Sequence, residues 1–218
     1  MNTPELSILI PVRDEAVNIP IMVKFLCAQV AAPFEILILC DDPADNSIAA
    51  TRALEADHPV RLLLHPGGRG VARAVEAGIA AARAEVLLIS VIDDIGAALV
   101  VNDMFALIGE GCDVVSCTRY AHGGKRVGGS LIGKTLSGLA NRAFGLFSGA
   151  ALSDLTTGIK MFRRRAIQSI ALRTDTTNWS FAFDLAVDFE LGGSTLGEVP
   201  MVSVDRAFGG KSTCRILI

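Results

Sequence analysis

Strand-like and helix-like segments alternate through the first hundred residues, and apolar runs end in clusters of glycine and acid. No apolar stretch reaches the roughly 18 residues of a membrane span. Together these features predict an α/β fold, with a mainly parallel sheet flanked by helices. The chain of 218 residues is long enough for one well-buried core, and a single domain over 1–218 is expected.

Leu6 to Val12 reads as a first strand, and Asp14-Glu15-Ala16 places acids where a helix N-terminus favours them, before a helix over Ile19 to Ala31. Phe34 to Leu39 is a second strand running into the acidic turn Cys40-Asp41-Asp42-Pro43, followed by a helix over Asp45 to Asp57. Val60 to Leu64 is a third strand. The glycines of Pro66-Gly67-Gly68-Arg69-Gly70 open a helix to Arg83. Crossovers of this length bring successive strands back parallel, giving a Rossmann-like layer. The glycine spacing is not that of a dinucleotide loop, so an ordinary turn is expected there, with Arg69 beside the carboxyl edge as a guanidinium able to meet a diphosphate.

Glu85 to Gly96 is the segment around which the chemistry is expected to gather. It reads as a buried strand that ends in Asp93 and Asp94, at the edge where open α/β sheets bind ligands. Two carboxylates there are hard oxygen ligands, suited to Mg2+ or Mn2+. Beyond it, Leu99 to Ile108 is a helix, Asp113 to Cys117 a strand, and Ala121 to Gly129 a glycine-rich basic loop. Leu131 to Leu146 is a helix with one apolar stripe. Ser153 to Gly158 is a turn, Ile159 to Phe162 a short strand followed by Arg163-Arg164-Arg165, Phe181 to Leu191 a helix, and Thr195 to Val204 a last strand.

Composition narrows the function. A formal charge of −3 argues against nucleic acid as a partner. Five scattered cysteines without C-x-x-C spacing predict reduced thiols. The 51% apolar content, high for a chain without a spanning segment, fits peripheral membrane contact. The N-terminus lacks a basic segment followed by an apolar one, so no secretory signal is expected. The expected location is cytoplasmic, at the inner face of the membrane. Gly128 to Thr135 matches G-x-x-x-x-G-K-[ST], yet no strand leads directly into it, and without that junction its amides would not wrap a triphosphate.

Ser7-Ile8-Leu9-Ile10-Pro11, Asp41-Asp42, Asp93, Val114 to Tyr120, Ser153-Asp154-Leu155-Thr156 and Glu198-Val199-Pro200 through Asp205-Arg206, in that order, resemble the dolichyl-phosphate mannose synthase branch of the GT-A glycosyltransferases. The resemblance spans nearly the whole chain. It implies a nucleotide-sugar-binding fold and transfer of a hexose from a nucleotide diphosphate sugar to a polyprenyl phosphate, with inversion. It further implies that Pro11, Arg13 and Glu15 line the nucleotide site with Asp41 and Asp42, and that Asp93 is the last acid of a D-x-D metal motif. Arg119 and Arg206, with Lys134, would hold phosphate, and Asp184 matches an acid on the helix before the last strand. Asp93, Arg119 and Arg206 are the expected catalytic groups. The sequence departs from the pattern where Val91 replaces the first acid of D-x-D and Asp94 adds one after it. Two alternatives follow: a soluble hydroxyl acceptor, or a non-catalytic relative that binds sugar nucleotides.

Overall fold

The layering follows from which residues alternate. In β1 (Leu6–Pro11) and β2 (Phe34–Cys40), Leu6, Ile8, Ile10, Ile36 and Ile38 point one way and Leu9, Leu37 and Leu39 the other. Both faces must therefore be covered. The first set packs on Ile19, Met22, Val23 and Leu26 of α1 (Asn18–Gln29) and on Met104 and Ile108 of α5 (Val101–Gly109). The second meets Ala74 of α3 (Val71–Ala81). Burial of each large aliphatic side chain contributes about 1.5–3 kcal/mol, so one face lost would unfold the layer.

The structure, a computed structural model, describes residues 3–65, 68–128, 138, 141, 151–172 and 180–204. Within these, β1 and β2 join β3 (Val60–Leu64), β4 (Val86–Ile89), β5 (Val114–Thr118), β7 (Lys160–Arg163) and β8 (Leu196–Pro200) in a seven-stranded sheet of order β3-β2-β1-β4-β7-β5-β8. All pairings are parallel except those of β7, which runs antiparallel to both neighbours. A separate parallel pair joins β6 (Lys125–Val127) to β9 (Val202–Val204). The remaining helices are α2 (Ser47–Arg52), α4 (Ile95–Leu99), α6 (Arg164–Gln168) and α7 (Phe181–Leu191). Phe181, Leu185 and Phe189 of α7 cover Leu87, Ile89, Val114 and Phe162.

The order places β2 and β4 on opposite sides of β1. The carboxyl ends of β1 and β4 therefore flank the crevice where such sheets bind ligands.

The arginine run, a plain basic cluster in sequence, ties helices to the sheet. Arg164 donates to the carbonyls of Ile79, Ala82 and Ala84 at the end of α3, and Arg163 to those of Ile108 and Cys112 at the end of α5. These carbonyls have no partner within their helices, and a cation near them also complements the helix dipole. Arg165 pairs with Asp113 at 2.7 Å.

Several elements differ from their sequence expectation. The expected helix over Asp45 to Asp57 is regular only from Ser47 to Arg52, because the residues leading into it are used to hold another loop. The helix expected from Leu99 starts earlier and breaks at Val100 into α4 and α5. The basic loop contains β6, and the expected last strand divides at Met201 into β8 and β9, which belong to different sheets. The expected strand from Glu85 stops at Ile89, four residues short of Asp93. Of the helix expected over Leu131 to Leu146, only Gly138 and Asn141 fall within the described residues, and both are helical.

Candidate active site

The loop after β1 is shaped from a distance. Asp14 takes a left-handed φ of 58° and donates its amide to both carboxylate oxygens of Asp45, at 3.1 and 3.0 Å. The Glu15 amide donates to Ser47 Oγ and the Ala16 amide to Asn46 Oδ1, at 2.9 and 3.0 Å. Three consecutive amides are thus captured by three consecutive side chains at the start of α2. Short polar side chains commonly take this role at turns, and they compensate here for a backbone conformation that is unfavourable outside glycine. Asp45, Asn46 and Ser47 were not singled out from sequence, since their partners lie about thirty residues away.

With that loop fixed, charged groups from three strand ends meet. Arg13 Nη2 donates to both oxygens of Asp41, at 2.9 and 2.8 Å, and the Gly70 amide donates to Asp41 Oδ2 at 3.0 Å. Gly70 holds a φ of 133°, which side chains rarely adopt, so glycine is required where α3 starts against Asp41. Burial alone would raise the Asp41 carboxyl; the hydrogen bonds from Arg13 and Gly70 outweigh it and hold the group below its usual range. Arg69 pairs with Asp42 at 2.9 Å, and the Ala44 amide, then Arg69, lowers the Asp42 carboxyl. Pro11 closes β1 beside this cluster.

Across the crevice, the segment after β4 separates its two acids. Asp94 is buried and caps α4: Oδ1 accepts from the amides of Gly96 and Val204 at 2.9 and 3.1 Å, and Oδ2 accepts from Ser203 Oγ at 2.5 Å. It clamps β9 onto α4, a contact so close that a Cβ at Gly96 would stand 2.1 Å from the Val202 carbonyl oxygen. Of the two acids expected to pair at a metal, Asp94 is engaged as a cap and strand tie. Asp93 is half-buried and lies near Glu15. Burial raises the Glu15 carboxyl, opposed by a hydrogen bond from Asn18 at 2.5 Å, and the negative charge of Asp93 raises it further.

The third part lies after β5. Arg119 donates from Nε and Nη2 to the two oxygens of Asp154, at 2.7 and 2.9 Å, and from Nη2 to Thr156 Oγ1 at 2.9 Å. Its side chain is only 15% exposed and that of Asp154 is 0% exposed, so this is a buried, two-pronged ion pair. The turn carrying Asp154 is fixed on all sides. Glu198 accepts from the amides of Ser153 and Asp154, Asn141 accepts from the Leu155 amide, and Thr118 shares a hydrogen bond with Ser153 at 2.6 Å. Burial would raise the Asp154 carboxyl, yet Arg119 and then Lys160 keep it lowered. The Cys117 thiol below is pushed far above its usual range by burial, which makes it inert as a nucleophile.

The structure therefore gathers Pro11, Arg13, Glu15, Asp41, Asp42, Arg69 and Asp93 at one edge, with Arg119 farther along it. Lys134 and Arg206 lie outside the described residues, and Asp184 sits in the first turn of α7. Among the described residues, no three His, Cys, Asp or Glu side chains group as a self-sufficient metal site. None of the helices searched among them is long and apolar enough to cross a membrane. Cys27, Cys40, Cys112 and Cys117 are free thiols.

A mainly parallel sheet flanked by helices, with charged groups at its switch point, defines an α/β fold of the kind that binds ligands at its carboxyl edge. Residues 7–171 match Glycosyl transferase family 2, and the chain belongs to that family. It is 26% identical over 211 residues to the undecaprenyl-phosphate 4-deoxy-4-formamido-L-arabinose transferase of Klebsiella pneumoniae subsp. pneumoniae. That alignment covers 94% of this chain and 61% of the relative, so the chain spans about three fifths of the relative's length. Among solved structures, it resembles glucosyl-3-phosphoglycerate synthase from Mycobacterium tuberculosis in complex with Mn2+, uridine diphosphate and glucosyl-3-phosphoglycerate. The TM-score is 0.71 at 16% identity, over 96% of this chain and 73% of that one. The same synthase in complex with Mg2+ and uridine diphosphate gives a TM-score of 0.72 at 16% identity, over the same 96% and 73%. The GT-A expectation for the fold holds.

Proposed function

We propose that this glycosyltransferase moves a hexose from a nucleotide diphosphate sugar to a polyprenyl phosphate, with inversion at the anomeric carbon. The observation that carries the proposal is the division of one sheet edge into two charged halves. Arg13, Glu15, Asp41, Asp42 and Arg69 gather around the β1–β4 crevice with Asp93, and Arg119 is fixed beyond it. Such an edge suits two anionic substrates that must meet. The first half takes the nucleotide: Asp41 and Asp42 accept hydrogen bonds from the nucleoside, and Arg13 and Arg69 exchange their carboxylate partners for the diphosphate.

Mg2+ or Mn2+ fits the donors present. Glu15 and Asp93 crowd negative charge at the crevice, and Mg2+ is commonly held by one or two carboxylates with substrate phosphates and water completing its shell. Asp93 would be its protein ligand, and the ion when bound would neutralise the departing diphosphate. Arg119, with Lys134 and Arg206, orients the acceptor phosphate. A phosphate is anionic near neutral pH, so it needs no general base of the kind a hydroxyl requires. The lipid acceptor is supported by the undecaprenyl-phosphate transferase relative. It would make contact with the membrane peripheral.

A second reading is a soluble acceptor, favoured by the mycobacterial synthase structure in complex with phosphoglyceric acid. The test is labelled-sugar transfer from uridine- and guanosine-diphosphate hexoses, with Mn2+, Mg2+ or chelator, to a short polyprenyl phosphate or to phosphoglyceric acid. Metal-dependent labelling of the lipid is expected, with loss of metal-dependent nucleotide binding in Asp93→Asn. Labelling of phosphoglyceric acid alone selects the second reading. Unchanged manganese dependence in Asp93→Asn removes the metal assignment.

A further inference from the structure

Lys160 has 0% exposure, although lysine is among the residues least often fully buried. It opens β7, where it stands opposite Ile89 of β4 and Ser116 of β5. It is thus wedged between the strand that leads to Asp93 and the strand that leads to Arg119. Its Nζ donates to the Thr157 carbonyl at 2.5 Å, at the end of the turn whose Asp154 grips Arg119. The charged and titratable groups facing it are Asp154, Arg119, Glu198 and the Cys117 thiol. Cys117 stays neutral, so among the described residues Asp154 and Glu198 act on Lys160 against Arg119.

We propose that Lys160 is a positioning residue for the acceptor half of the site. Its ammonium holds the Ser153–Thr157 turn through the Thr157 carbonyl and the Asp154 carboxylate, and so fixes the plane of the Arg119 guanidinium. Without that charge, Asp154 keeps one cation of two and the Thr157 carbonyl is left with only a weaker, neutral donor, so the turn and Arg119 shift together. The catalytic consequence rests on the reading that Arg119 meets an acceptor phosphate; the clamp itself does not depend on which acceptor is used. Burial pushes the Lys160 ammonium down to about 8, so the clamp weakens as pH rises through that value. Asp154, held low by Arg119, keeps its charge across this range, and Cys117 keeps its proton.

The experiment follows the carbon-detected Cζ–Nε signal of Arg119, assigned by its loss in Arg119→Lys, through a pH titration of the full chain. It is paired with the KM for a short polyprenyl phosphate and the affinity for uridine diphosphate. In the wild type the Arg119 signal is expected to move with a midpoint near pH 8. In Lys160→Met it should sit at the high-pH position at every pH, and in Lys160→Arg at the low-pH position throughout. The acceptor KM should rise about tenfold in Lys160→Met, the loss expected from one charge-assisted hydrogen bond, with kcat and uridine diphosphate affinity kept. An Arg119 signal in Lys160→Met identical to wild type at neutral pH overturns the proposal. If that variant does not fold, a wild-type signal that stays fixed from pH 7 to above the ordinary lysine value of 10.5 overturns it equally. An Arg119 signal that behaves as expected, in an enzyme that neither binds nor labels polyprenyl phosphate, supports the clamp and removes the lipid acceptor.

Discussion

The two halves of the carboxyl edge use the same residue types under opposite conditions. At the β1–β4 crevice, the side chains of Arg69 and Asp42 are 71% and 32% exposed, whereas after β5 those of Arg119 and Asp154 are 15% and 0% exposed. An exposed ion pair contributes about 0–1 kcal/mol, so its arginine can leave the carboxylate for a diphosphate at little cost. A buried pair resists opening, because removing one partner strands the other charge away from water. Under the proposed function, the Arg69–Asp42 pair is therefore ready to exchange partners, whereas the Arg119–Asp154 pair is built in advance. Asp154→Ala tests this contrast most strongly. Loss of its carboxylate should destabilise the fold by about 3–5 kcal/mol, read as a lower urea midpoint at unchanged slope. A loss below about 1 kcal/mol would erase the distinction between the halves.

The two acids after β4 provide a smaller version of the same comparison. Asp94 spends its oxygens on Gly96, Val204 and Ser203, whereas Asp93 lies where its charge reaches Glu15. Asp94→Ala should cost about 1–2 kcal/mol through the lost cap and strand tie. The manganese dependence of nucleotide binding should survive, as it should not in Asp93→Asn. Calorimetric titration of uridine diphosphate with and without manganese separates the two variants. Equal loss in both would return Asp94 to the metal site.

The strands were legible in the sequence because a parallel strand covered on both faces must be apolar along its length. Val60–Leu64 and Phe181–Leu191 match their expected bounds. The gathering of Asp41, Asp42 and Asp93 at one sheet edge was legible for a related reason, since they follow such runs. What stayed hidden depends on partners distant in sequence. Whether Asp93 or Asp94 turns inward is decided by Ser203, 109 residues away from Asp94. The three arginines from Arg163 read only as a basic run until the carbonyls near the ends of α3 and α5 are placed against Arg164 and Arg163, and Asp113 against Arg165. Lys160 left one readable trace, a lysine between Ile159 and Met161 in a segment expected to be buried.

Lys160 also sharpens the contrast through pH. Its ammonium is depressed from 10.5 to about 8 in the fold, so between those values the unfolded chain binds the extra proton. Stability from this group therefore rises as pH increases through that window, and below about 8 the charged lysine is a net cost. The expected outcome is that Lys160→Met is no less stable than wild type near neutral pH and flattens this part of the stability profile. Urea unfolding at pH 7 and pH 9 measures it, and a marked loss at neutral pH would make the lysine a stabilising ion rather than a positioning one.

The smallest stability effect belongs to Arg69, and that smallness is what the donor-side argument requires. Its side chain lies mostly in solvent and its bond to Asp42 is a single contact at 2.9 Å. Arg69→Ala should change stability by less than about 1 kcal/mol. Its effect should appear in binding: lower affinity for uridine or guanosine diphosphate, and a shallower fall of affinity as ionic strength rises from about 0.05 to 0.5 M, because one screened attraction has gone. Asp42→Asn should act oppositely at Arg69, releasing the guanidinium from its carboxylate while removing an acceptor for the nucleoside. The double variant then separates the two roles: if Arg69 serves the diphosphate, Asp42→Asn should weaken binding less when the freed Arg69 is present than when it is absent. Strong coupling between the two, with a stability loss well above 1 kcal/mol in either single variant, would mean that the pair is a structural clamp like Arg119 and Asp154.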